Sequence, residues 1–251
     1  MTAVPEPDPR AAPDSLKPLV EGALGLDPAW FGARMDPAGQ APGAHRAAVL
    51  MLFADSAHGP DVLLTERAST LRSHAGQVAF PGGRVDPTDT GPVHAALREA
   101  EEETGLDPGG VVPLVVLPDL FIPPTGYLVT PVLAHWADPA PVRAIDPAEV
   151  ARVIRVPVTD LADPANRISV RGPRGYTGPA FRASGLLIWG FTAGLLSALL
   201  HRSGWERPWD ATRIEDLDEA WAAARAHHRD RDELRGERVT DPVDVSDEVG
   251  R

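Results

Sequence analysis

Arg98-Glu99-Ala100-Glu101-Glu102-Glu103-Thr104-Gly105-Leu106 is the stretch from which the rest of this chain is read. A helix advances about 100° per residue, so with Glu99 at zero, Glu103 falls at roughly 40° and Glu102 at roughly −60°. These three carboxylates share one face at i, i+3 and i+4. Val93, Leu97, Ala100 and Thr104 fall on the opposite side and face inward. Glu101 points away from both sets and is solvated. Like charges gathered on one helix face are unfavourable by a few tenths of a kcal/mol per pair (about 0.2–0.5). A cation that neutralises them removes the penalty, and carboxylate oxygens suit hard cations such as Mg²⁺ or Mn²⁺. An acidic face in plain solvent explains an isolated run of glutamates, but it gives no reason for the glycines upstream.

Those glycines stand in Phe80-Pro81-Gly82-Gly83, at the end of a short strand spanning Gln77–Phe80. Paired glycines permit positive φ and close approach of the backbone to a ligand. The helix is expected over Pro92–Thr104, opened by Gly91-Pro92 and ended by Gly105 at a position that favours glycine. Strand, glycine turn, loop and acidic helix therefore bring backbone groups and carboxylates around one point. Further out, Arg46–Phe53 and Asp61–Thr65 read as strands on either side of the turn signal His58-Gly59-Pro60. Val111–Leu117 and Leu128–Ala134 read as strands flanking the bend Pro123-Pro124-Thr125-Gly126. Ala148–Ile154 reads as a short helix leading into a strand over Arg155–Val158. Ile188–His201 contains one helix and Leu217–Arg229 another. This alternation implies an α/β fold with a mixed sheet packed between helices.

The chain has 251 residues and is 43% hydrophobic, which supports one sizeable core. Residues 1–15 are expected as a disordered tail, 16–228 as one domain and 229–251 as a polar C-terminal tail. Lys and Arg number 24 against 36 Asp and Glu, a formal net charge of −12. That balance argues against a nucleic-acid backbone as the main partner and disfavours an acidic membrane surface. There are no cysteines, so disulfides, thiolate nucleophiles and cysteine-bound zinc are excluded. The N-terminal segment has no apolar core of a secretory signal. The longest apolar run, Leu186–Leu200, is shorter than the roughly 20 residues a bilayer requires. It reads as a buried strand-to-helix segment, and a cytoplasmic location is the default expectation. Oligomeric state is left open, a homodimer included.

Gly83, Arg98, Glu99, Ala100, Glu102, Glu103, Gly105 and Leu106 together resemble the Nudix box, which opens with glycine and closes Arg-Glu-aliphatic-any-Glu-Glu-any-Gly-aliphatic. There are two departures. Asp89 stands where the pattern has glutamate, and the loop from it to Arg98 is one residue longer. The segment from Leu63 through Arg67 and Arg72 to Gly83, with Leu63-Leu64-Thr65, Gly76 and Phe80-Pro81-Gly82-Gly83, is similar to the additional signature of Nudix coenzyme A diphosphatases. The resemblance implies the Nudix fold, an α/β/α sandwich with a mixed sheet. It also implies hydrolysis of coenzyme A to 3′,5′-ADP and 4′-phosphopantetheine. By that resemblance Glu99, Glu102 and Glu103 are metal ligands, the Gly83 carbonyl joins them, and Arg98 fixes a helix carboxylate. Bound metal would also let so acidic a protein accept a polyanion.

The general base is either a helix glutamate or a later acid. Glu149 is the candidate for the latter, against the alternative of a surface residue opening a helix. Arg67 and Arg72 either grip phosphate or form structural ion pairs. His74 is expected as a hydrogen-bonded loop residue. Trp189 and Phe191 are expected to fill the core, and Trp205 and Trp209 to anchor the chain after the helix. His227-His228 lacks metal-site spacing. Two rivals to coenzyme A hydrolysis remain at this level. One is hydrolysis of another nucleoside diphosphate derivative such as ADP-ribose. The other is a non-catalytic nucleotide-binding module, disfavoured because the three box carboxylates are present.

Overall fold

A computed structural model describes residues 4–31, 44–57, 59–71, 74–122 and 125–226. Its helices are α1 (Lys17–Leu24), α2 (Pro92–Thr104), α3 (Val158–Ala162), α4 (Gly190–Arg202) and α5, helical over 217–226. The first sheet comprises β1 (His45–Ser56), β2 (Gly59–Arg67), β3 (Val78–Ala79), β4 (Gly82–Arg84), β5 (Val111–Val116), β6 (Leu120–Ile122), β7 (Tyr127–Trp136) and β8 (Val150–Pro157). The second comprises β9 (Arg167–Arg171), β10 (Thr177–Ala183), β11 (Leu186–Ile188) and β12 (Ile214–Asp216).

The first sheet is mixed. Strands run β3-β2-β1-β7-β5, with β4 paired to β1, β6 to β7 and β8 to β2. β1 and β7 are parallel, Ala48 opposite Thr130, and the remaining pairs are antiparallel. Strand side chains alternate between faces, and β1 is buried on both. Ala48, Leu50, Leu52 and Ala54 pack on Val93, Ala96, Leu97 and Ala100 of α2. Met51 and Phe53 enter the core beneath α1, α3 and α4 with Leu19, Leu161 and Leu196. Helices on both faces of a mixed sheet make the expected α/β/α sandwich.

Helix α2 matches its sequence reading in extent and in orientation. Ala100 and Thr104 are fully buried, and Glu101 is exposed. Gly105 ends the helix in the left-handed region at φ 67°, donating its N–H to Glu101 O. The run Leu186–Leu200 divides as read, into β11 and then α4.

Three readings differ from the structure. Ala148–Ile154 is not a helix, because from Val150 onward the chain is strand β8, Leu64 pairing with Ile154. Its β-branched residues gain more from a ladder beside β2 than from a helical turn. Gly82-Gly83, read as a turn after a strand, lies in strand β4 against β1, with Ala48 opposite Gly83. Residues 4–15, read as tail, are placed on the sheet. Asp8 N–H donates to Pro113 O at 3.1 Å. Ala12 and Leu16 join the core, and Val4 packs on the opposite cluster. A few well-spaced apolar residues anchor this proline-rich segment, whose composition alone suggested none. Residues 1–3 and 229–251 lie outside the described residues. Among the described residues no helix is long and apolar enough to cross a membrane.

Candidate active site

The site forms where β4 crosses the start of β1 and meets the acidic face of α2. A Cβ at Gly82 would collide with the Ala48 carbonyl oxygen and lie 2.7 Å from Val49 Cα. A Cβ at Gly83 would strike the carboxylate of Glu99. Glycine is therefore required at both positions: at Gly82 for β4 to lie against β1, at Gly83 for the helix acid to lie against the backbone.

Glu103 accepts a hydrogen bond from Gly82 N–H at 3.2 Å. Burial pushes its pKa up to about 7, with the charges of Glu99 and Glu149 adding to the rise. The Gly82 N–H and the positive charge of Arg67 oppose it. Burial likewise raises Glu99, countered by Arg98. Glu102 stands further out, its side chain 60% exposed. Two of the three expected carboxylates thus converge on the glycine corner, while the third rims it.

Arg98 ties the cluster together. Nη1 donates to Glu99 Oε1 at 3.0 Å and to Glu102 Oε2 at 3.2 Å. Nε and Nη2 grip Asp89 through Oδ1 at 3.1 Å and Oδ2 at 3.0 Å. Nη2 also reaches the Arg84 carbonyl at 3.0 Å. The sequence reading paired Arg98 with a helix carboxylate, but its forked contact is to Asp89. The Asp89 side chain is fully buried, and Asp86 N–H donates to it at 2.8 Å. The Arg98 hydrogen bonds hold the Asp89 carboxyl below the usual aspartate range. Its significance was legible only as an acid at an unusual loop spacing. With one more loop residue, the shorter side chain still reaches the arginine.

The donor set at the corner is hard oxygen throughout, which suits Mg²⁺ or Mn²⁺. As the side chains stand, no three His, Asp or Glu among the described residues form a ready-made cage. Arg98 bridges Glu99 and Glu102, and a cation there would take over neutralising them.

Glu149 reaches this neighbourhood from the turn before β8. Its carbonyl accepts from Ala68 N–H at 2.8 Å, and its charge acts on Glu103. Arg67, at the end of β2, also acts on Glu103, and its Nε is buried without a hydrogen-bond acceptor among the described residues. Arg72, Pro123, Pro124, His227 and His228 lie outside the described residues. His74 Nδ1 pairs with Gln77 Oε1 at 2.8 Å, the hydrogen-bonded loop role expected of it. Trp189 and Phe191 pack on apolar clusters. Trp205 packs on the core, and Trp209 stacks on Arg167 and donates to Glu206.

The glycine corner and its carboxylates sit on an α/β/α sandwich of the Nudix type, the fold of hydrolases acting on pyrophosphate bonds. The NUDIX domain family profile matches residues 44–172, and the chain belongs to the Nudix family. It is 38% identical over 164 residues to the uncharacterized Nudix hydrolase NudL of Escherichia coli O6:H1 (strain CFT073), covering 64% of this chain and 84% of that protein. NudL of Escherichia coli strain K12 matches at the same identity and coverage. Among solved structures, the Nudix hydrolase RenU of M. smegmatis aligns at 24% identity and a TM-score of 0.47, covering 66% of this chain and 90% of that one. The NUDIX domain of Shewanella oneidensis NrtR, solved with ADP ribose, aligns at 20% identity and a TM-score of 0.39, covering 54% and 86%. Nudix hydrolases generally use divalent cations.

Proposed function

We propose that this protein hydrolyses the diphosphate linkage of coenzyme A or a derivative, releasing 3′,5′-ADP and 4′-phosphopantetheine. The observation that carries the reading is the continuity of the Leu63–Gly83 signature with the corner. Arg67, inside that signature, has a buried donor without an acceptor among the described residues and acts electrostatically on Glu103. An arginine fork in that state suits a phosphate oxygen. Residues 16–228, with the ordered segment before them, are taken as one catalytic domain, acting in the cytoplasm on a small-molecule substrate.

Glu99, Glu102, Glu103 and the Gly83 carbonyl are assigned to hold Mg²⁺ or Mn²⁺. Such ions lower the pKa of bound water and neutralise charge on the leaving oxygen. Arg98, locked by Asp89, sets the rotamers of Glu99 and Glu102 before metal arrives. Arg67 and Arg72 orient the diphosphate. Glu149, exposed beside Glu103, accepts the proton of the attacking water. Among the described residues its carboxylate makes no hydrogen bond or ion pair, which leaves it free to move toward substrate.

The test is mass spectrometry of products from coenzyme A incubated with the protein and Mg²⁺ in water labelled with heavy oxygen. The two named products, one carrying the label, are expected. Turnover of ADP-ribose with coenzyme A left intact would refute the substrate assignment.

A further inference from the structure

Beyond the corner, an open cavity of about 500 Å³ lies between the end of β2, strand β8, the β10–β11 turn and α5. The volume is within the range of small-molecule sites. Much of its wall follows residue 172, where the family match ends: Leu187 and, from α5, Trp221 and Arg225. In a protein of net charge −12, three of the lining residues are arginines, Arg67, Arg152 and Arg225, against one acid, Glu66. Glu66 is taken by Arg152, Nε to Oε2 at 2.5 Å. Arg67 and Arg225 make no ion pair among the described residues, and Arg67 Nε is buried without an acceptor. The Arg225 guanidinium lies 4.7 Å over the Trp221 ring, whose edge meets Trp189 at 5.7 Å. An aromatic face holds a guanidinium flat while leaving its N–H edge free to donate.

Arg67 lines this cavity and acts on Glu103 of the corner, where it serves the diphosphate; Arg225, stacked and without an ion pair among the described residues, is left to meet a second anion. We propose that this cavity receives a phosphomonoester carried on the nucleoside half of the substrate. Arg225, backed by Trp221, is the residue that selects for it, and Arg67 bridges it to the corner. Apolar wall such as Leu187 covers the nucleoside. The assignment rests on the coenzyme A reading, because that substrate bears such a phosphate, but it can be tested apart from it.

Two measurements on full-length wild type and Arg225→Gln serve, in the presence of Mg²⁺. Arg225 is exposed, so neither change removes core packing, and Arg225→Lys, which keeps the charge, serves as a second variant. In the first, calorimetric titration compares adenosine 3′,5′-bisphosphate with adenosine 5′-monophosphate. Wild type is expected to favour the bisphosphate by on the order of 10- to 100-fold, as charge-assisted bonds do. The Gln variant is expected to bring that ratio near unity, leaving monophosphate affinity unchanged, and the Lys variant to retain part of it. In the second, kcat/KM is compared for coenzyme A and dephospho-coenzyme A, with the loss in the Gln variant confined to coenzyme A and expressed in KM. Equal affinities in wild type, or the same preference retained by Arg225→Gln, would overturn the subsite. Absence of coenzyme A turnover with the bisphosphate preference intact would overturn the proposed substrate and leave the subsite standing. Turnover of coenzyme A with both substrates equally affected by the Gln change would do the reverse.

Discussion

Glu103 is the residue in which folding and function conflict most openly. Its pKa rises from an ordinary 4.5 to about 7 because the helix face is buried against β4. Below about pH 4 the carboxyl is protonated in both folded and unfolded chains, so it contributes no pH dependence. Between the two values the folded chain keeps a proton that the unfolded chain has lost, so stability falls as pH rises through this window. Above about pH 7 the full penalty applies, on the order of 3 kcal/mol before relaxation. Thermal melts of chelator-treated protein are therefore expected to drop from about pH 5 to about pH 8. Glu103→Gln should flatten that slope and melt higher than wild type at the upper pH, while abolishing turnover. A wild-type slope retained in the Gln variant would place the titration elsewhere. Asp89 makes the opposite case. Its buried carboxylate answers Arg98, and Asp89→Ala removes the forked partner of that guanidinium, leaving it to Glu99, Glu102 and the Arg84 carbonyl. A stability loss of about 2–4 kcal/mol by chemical denaturation is expected. Weakened metal affinity, by about 10- to 100-fold, should accompany it.

At the scale of elements, the β4–α2 junction distinguishes two glycines that look alike in sequence. A Cβ at Gly82 meets backbone, the Ala48 carbonyl, which cannot move without breaking the β1–β4 ladder. A Cβ at Gly83 meets only the end of a glutamate side chain. Gly82→Ala is thus expected to cost about 1–3 kcal/mol or prevent folding. Gly83→Ala should keep near-normal stability and lose metal-dependent turnover, since Glu99 must swing away. Paired melting and activity measurements check this, and equal stability losses would mean that both positions are merely structural. The helix of this junction was legible from sequence because one helical period explains both its buried and its acidic residues. Asp89 could be seen as an acid but not as the partner of Arg98, because the pairing closes across a loop whose path no local pattern fixes. β8 was misread because Asp146-Pro147-Ala148-Glu149 carries a helix-start pattern, which the pairing of Val150–Pro157 with β2 overrides. The cavity wall of Trp221 and Arg225 was invisible for a related reason: α5 reaches Gly76 and the β10–β11 turn only through the second sheet.

At the scale of the molecule, the two sheets are joined through α4. The largest apolar cluster runs without a break from Met51 and Phe53 in the first sheet, through Leu195 and Leu199, to Phe181 and Ile188 in the second. Where that core ends, Arg167 of β9 closes it. Its side chain is fully buried, bonded to Glu206 Oε1 and Ser197 Oγ at 2.7 Å each, and lies between Phe181 and Trp209 at 5.0 and 4.4 Å. Burial lowers its pKa against the pull of Glu206, the sign of a charge kept in place by one partner. Removing that partner leaves the cation stranded, whereas replacing the cation with an apolar chain of similar length removes the desolvation cost as well. Glu206→Gln is therefore expected to destabilise by about 3–5 kcal/mol, and Arg167→Met by less, although the latter deletes more hydrogen bonds. Denaturant unfolding of the two variants gives the comparison. Since one core serves both sheets, each variant should still unfold in a single transition with both sheets lost together. Two separated transitions, or Arg167→Met as the more damaging change, would mean that the second sheet stands on its own and that this arginine, rather than the shared apolar core, joins it to the catalytic layer.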